Sequence, residues 1–71
     1  MPREFVVVDA DGRFLSGPRQ WSKEYPDARM FEVKKVAIAA AVRAGVLCEV
    51  VENYGMDDQR TVDTVGPKAA A

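Results

Sequence analysis

Histidine is absent from this chain, cysteine occurs once (Cys48) and tryptophan once (Trp21). No apolar run approaches the roughly 20 residues that span a bilayer. Each shortage removes a class of function. A lone cysteine excludes an internal disulfide and fits a reducing cytoplasm. Without histidine, one thiol cannot close a tetrahedral zinc site, so neither a metal nor another cofactor is expected. Catalysis would then need a carboxylate pair, a lysine base or an activated thiol. Asp57 and Asp58 are adjacent, but sequence neighbours diverge and read as a solvated loop. Cys48 lies in an apolar stretch, where a thiol is buried and its pKa raised. The glycines are scattered at 12, 17, 45, 55 and 66, which provides no phosphate-binding loop. The residues point to binding, not to an enzyme.

The first residues, Met1-Pro2-Arg3-Glu4, lack the apolar stretch of a signal peptide. A cytoplasmic protein with no membrane association is therefore expected. At 71 residues there is room for one small domain, residues 1–71, with 68–71 a frayed tail. A chain this short buries only about 60% of its unfolded surface. With disulfides excluded, a second chain is the remaining source of stability. With 48% hydrophobic and 30% charged residues, the composition is that of an ordinary globular protein. The net charge is −1, unevenly spread: Arg60 and Lys68 stand against Glu49, Glu52, Asp57, Asp58 and Asp63 in the last third. That balance speaks against a general nucleic-acid binder, whose affinity comes from a basic face.

The chain reads as an α+β domain of ββαββ order, an antiparallel sheet with one helix packed on one face. Phe5-Val6-Val7-Val8 is a β-branched strand, Asp9-Ala10-Asp11-Gly12 a tight turn, and Arg13-Phe14-Leu15-Ser16 the returning strand. Residues 18–31 have no sustained period but contain Trp21, Tyr25, Met30 and Phe31, and read as an irregular plug over one end of the core. Val33 to Ala44 is the helix, closed by Gly45. At 100° per residue, Val33, Val36, Ala37, Ala40, Ala41 and Ala44 share the face expected to meet the sheet. Ile38 and Val42 form a second apolar ridge flanked by Lys34 and Lys35, which suggests a homodimer contact. Val46 to Glu52 and Arg60 to Val65 are the last two strands.

Asp9-x-Asp11-Gly12 has the opening of a calcium loop. Its fifth and twelfth places hold Arg13 and Gln20, however, so a hairpin turn is the better reading. Trp21 with Tyr25 and Arg19 offers a stacking platform for single-stranded nucleic acid, against which Trp21 reads as a core plug, the plug being favoured. Glu49, Glu52, Asp57, Asp58 and Asp63 fall on two adjacent strands and their connecting loop. They read either as a charge-protected sheet edge or as an acidic patch that docks on a basic surface.

At Phe5-Val6-Val7-Val8, Asp11-Gly12-Arg13-Phe14-Leu15-Ser16-Gly17, Trp21, Asp27-Ala28-Arg29-Met30-Phe31 and Gly45, the chain resembles small proteins encoded by phages and prophages. The pattern covers about residues 5–52. Such proteins include anti-CRISPR proteins, small domains that block bacterial RNA-guided complexes. The resemblance implies an inhibitor of a bacterial CRISPR-Cas effector complex that blocks target-DNA recognition, and it carries over no binding residue; the residues themselves offer Glu49, Glu52, Asp57, Asp58 and Asp63 as the partner-binding patch and Ile38 and Val42 as the homodimer contact. The alternative is a small nucleic-acid-binding regulator using Arg3, Arg13, Arg19 and Lys23 with Trp21.

Overall fold

Phe5-Val6-Val7-Val8 is apolar at every position, a pattern that suits a strand covered on both faces. The computed structural model, which describes residues 4–66, places it in that setting. β1 (Phe5–Asp9) is the central strand of a five-stranded antiparallel sheet that also holds β2 (Phe14–Gly17), β3 (Gln20–Ser22), β4 (Cys48–Glu52) and β5 (Arg60–Val65). The spatial order is β3-β2-β1-β4-β5. One helix, α1 (Lys34–Ala44), packs chiefly on β1, β4 and β5. The α+β class with one helix on an antiparallel sheet holds, but the order is not ββαββ, because β3 adds an edge strand within the segment read as irregular.

β1 and β2 join through a turn in which Asp9 organises the backbone. Its Oδ1 accepts from the amides of Asp11 (3.0 Å) and Arg13 (2.8 Å), and its Oδ2 from Arg13 Nε (2.9 Å). Gly12 supplies the positive φ of 83° that this turn requires. The carboxylates of the supposed calcium opening are thus spent on a hairpin and on Arg13. β3 pairs with β2 through Phe14↔Ser22 and Leu15↔Trp21. The chain then makes a 3₁₀ turn at Tyr25–Asp27 and runs back along the sheet. Phe31 exchanges two backbone bonds with Phe5, donating at 2.9 Å and accepting at 2.8 Å.

Alternation along β1 sorts the core into two clusters. Phe5 and Val7 meet Leu15, Phe31, Ala37, Ala41, Cys48 and Val50 beneath the helix. Val6 packs on the other face with Phe14, Ala28 and Val51. This second face is covered by Tyr25 and Tyr54, whose rings stack at 4.8 Å and stand edge-on to Phe14 at 5.5 and 5.0 Å. The 18–31 segment packs on the core through Tyr25, Ala28 and Phe31, but Trp21 is not its anchor: it is a half-buried strand residue against the helix-side cluster, and the cover over the opposite face comes from Tyr25 and Ala28 with Tyr54.

The helix face also differs from the expected one. Ala37 and Ala41 are buried as read, but Val33 and Val36 are exposed, and Ile38 leans onto the core with Ala40 and Ala44. The supposed ridge is thereby divided, because Ile38 is half-buried while Val42 is 60% exposed. Gly45 closes the helix in the left-handed conformation (φ 72°), as its type suggests. The tail at 68–71 lies outside the described residues.

Phe31 ties the helix-side cluster to β1, whereas Trp21 flanks that cluster half-exposed at the sheet edge. Phe31→Ala is expected to cost about 3–5 kcal/mol, a large share of a small domain's stability. Trp21→Ala should cost less than half of that. Urea unfolding of the two variants measures the difference, and an equal loss would show that the edge strand is as essential as the core.

Candidate functional site

A helix with its side chains is about 10–12 Å across, while five strands spaced near 4.8 Å span roughly 19 Å. Because α1 sits over β1, β4 and β5, the helix side of β2 is left beside a trench. Leu15 and Phe31 form its floor, and Val36, Ala39, Ala40 and Ala44 of the helix form one wall. Gly17 and Pro18, leaving β2, form the other. The groove encloses about 660 Å³.

Its rim carries four cations: Arg19 from the β2–β3 turn, Arg29 from the returning segment, and Lys35 and Arg43 from the helix. Lys35, Ala39 and Arg43 are spaced at i, i+4 and i+8, which puts them on one stripe of α1. Among the described residues no carboxylate lines the groove. Arg29 stands over the Phe31 ring, 5.2 Å from its centroid, so a charge rests directly on the apolar floor. The other described arginines are engaged elsewhere: Arg13 binds Asp9 and Asp11, and Arg60 binds Glu52.

Two departures from local preference coincide with this rim. Lys34 and Lys35 open the helix, where the dipole disfavours cations, behind a Val33 cap that offers no side-chain acceptor. Arg19 occupies the left-handed region (φ 56°), which costs a residue with a Cβ. Both place positive charge at the groove against the preference of the backbone.

The acidic residues singled out in the sequence are not brought together. Glu49 and Glu52 are three positions apart on one strand and so point to opposite faces: Glu49 pairs with Val8 and Thr64, Glu52 with Phe5 and Arg60. Glu52 is only 7% exposed and accepts from Arg60 Nε at 3.2 Å. Asp63 is half-buried in β5, its Oδ1 accepting from the Thr64 amide at 2.9 Å. Asp57 and Asp58 are exposed side by side in the β4–β5 turn, where Asp58 accepts from Asn53 Nδ2 at 3.0 Å. Of the nucleic-acid candidates, Arg19 lines the groove, Arg13 is tied to the first turn, Lys23 is exposed after β3, and Arg3 lies outside the described residues.

Among the described residues no three His, Cys, Asp or Glu side chains converge on a possible metal position, and no helix is long and apolar enough to cross a membrane. Cys48 is 1% exposed beneath the helix, its thiol directed at the Ala41 carbonyl at 3.8 Å. Burial, and then the charge of Asp9, push its pKa above the ordinary thiol value.

A raised folded-state pKa means that the folded protein holds this proton more tightly than the unfolded chain. The associated stability is present below the unfolded thiol pKa, roughly 8.5, and is lost as pH rises through the folded value. Cys48 should therefore resist iodoacetamide at pH 8 in the native protein and react on addition of denaturant. Rapid native alkylation would place the thiol at an open surface. No protein-family model matches the chain, and no match is found among curated proteins or solved structures.

Proposed function

We propose that this protein is a binding module whose working surface is the cationic groove, and that it takes an acidic segment of a partner protein carrying an apolar side chain. The observation that carries the reading is the lining itself: four cations around an apolar floor with no carboxylate among them, in a chain of net charge −1. Charge of one sign steers association and selects the partner, while burial of the exposed apolar wall at Val36, Ala39 and Pro18 supplies affinity. A nucleic-acid backbone would satisfy the cations but would leave the carbon floor unused. The stacking pair expected for single strands is divided, Trp21 lying half-buried against the helix-side cluster and Tyr25 packing on Phe14 and Tyr54 over the opposite face.

The inhibitor reading implied by the resemblance belongs to the same class, since it also needs binding alone. Of its acidic docking face, Asp57 and Asp58 stand exposed together at the β4–β5 tip and Glu49 stands exposed apart from them on β4, while Glu52 and Asp63 are withdrawn. The groove is the larger and more continuous surface. If the partner is a CRISPR effector complex, the groove contacts a protein subunit of it.

The test is fluorescence anisotropy with a labelled peptide of alternating Glu and Leu, beside a single-stranded oligonucleotide of similar length. The parent should bind the peptide in preference to the oligonucleotide. Arg29→Glu with Arg43→Glu should weaken the peptide at least about fourfold, because two attractive exposed pairs worth roughly 0.2–1 kcal/mol each become repulsive. Ala39→Trp should block the groove without altering a charge. Peptide binding untouched by both variants would overturn the assignment, and oligonucleotide preference would favour the regulator.

A further inference from the structure

The tip of the β4–β5 hairpin has the inverse character of the groove. Met56 is 57% exposed there, followed by the exposed carboxylates of Asp57 and Asp58. The groove presents carbon ringed by cations, and the tip presents a thioether flanked by anions. The tip is also held in shape before any contact. Met56 N donates to the Asn53 carbonyl (3.0 Å), Gly55 N to Gln59 Oε1 (2.9 Å) and Gln59 N to the Met56 carbonyl (3.1 Å). A preformed loop loses little freedom on docking, which favours the associated state.

The tip cannot reach the groove of its own chain. It joins β4 to β5 at one edge of the sheet, whereas the groove lies beside β2 at the other, with β1 between them. We infer that in the isolated protein the occupant of the groove is the Met56-Asp57-Asp58 tip of a second copy, seated head to tail. This rests on the groove being the working surface and names one occupant for it. Met56 lies against the exposed helix wall at Val36 and Ala39, and the two carboxylates meet Arg29 and Arg43. The contact is heterologous: each copy that fills one neighbour's groove leaves its own groove open to another copy, so the assembly grows as a chain or closes as a ring. An acidic partner segment and a second copy then compete for one surface, and self-association acts as a reversible occlusion of it.

Sedimentation velocity at low ionic strength and at 0.5 M salt tests this. The parent should show a weight-average mass that rises with concentration at low salt and falls toward the monomer at high salt, where the Debye length is only a few ångström. Asp57→Lys with Asp58→Lys should be monomeric, as should Arg29→Glu with Arg43→Glu. An equimolar mixture of the two should associate again, because reversed tip meets reversed groove and native tip meets native groove. Asp57→Asn with Asp58→Asn gives a milder version should the lysine variant fail to fold, and it should reduce association at least severalfold. A parent that stays monomeric up to millimolar concentration would overturn the inference, as would tip variants that associate like the parent. The Glu/Leu peptide separates the two levels of the argument. If the parent is monomeric yet loses the peptide on Arg29→Glu with Arg43→Glu, the groove stands and the second copy falls. If neither association nor peptide binding responds, both fall.

Discussion

One helix of eleven residues covers a sheet of five strands, and most of the surface of this molecule follows from that mismatch. Small side chains at Ala37 and Ala41 let α1 lie close over β1 and β4, so its contact is tight but narrow. What the helix cannot cover on its own side becomes the groove beside β2. The face it cannot reach at all is closed by Tyr25, Tyr54 and Ala28, drawn from the two irregular segments. The central strand is thereby dry on both sides although only one side has a helix, which accounts for an uninterrupted Phe5-Val6-Val7-Val8.

The regular elements were largely legible. β-branched runs mark β1, β4 and β5, and an alanine-rich stretch before Gly45 marks α1. β3 was not, because three residues, Gln20-Trp21-Ser22, carry no period of their own and become a strand only by pairing with β2 across an irregular register. The helix orientation misled for a related reason. Ala37 and Ala41 are compatible with either apolar stripe, and the sheet's position, which the helix alone does not contain, selects Ile38 over Val36. Opposite pointing of Glu49 and Glu52 was readable from their odd spacing, and grouping them by proximity in sequence overlooked it.

The groove is a different case. Its cations come from a turn, a returning segment and two turns of helix, so only the Lys35–Arg43 spacing was visible along the chain. The local signals that could have drawn attention to it are violations: lysines where a helix prefers acids, and an arginine where a turn prefers glycine. Sequences that satisfy local rules elsewhere tend to break them where a surface has work to do.

The pairing of β1 with β4 has a consequence for how the chain reaches this state. Asp9 meets Cys48 and Phe5 meets Glu52, so the centre of the sheet joins segments from opposite ends of the sequence. The β1–β2 hairpin and the helix close only local contacts, and neither is stable on its own. The central ladder must close a long loop first, and such topologies fold slowly compared with helical bundles. During synthesis the edge of β1 that pairs with β4 has no partner until β4 leaves the ribosome.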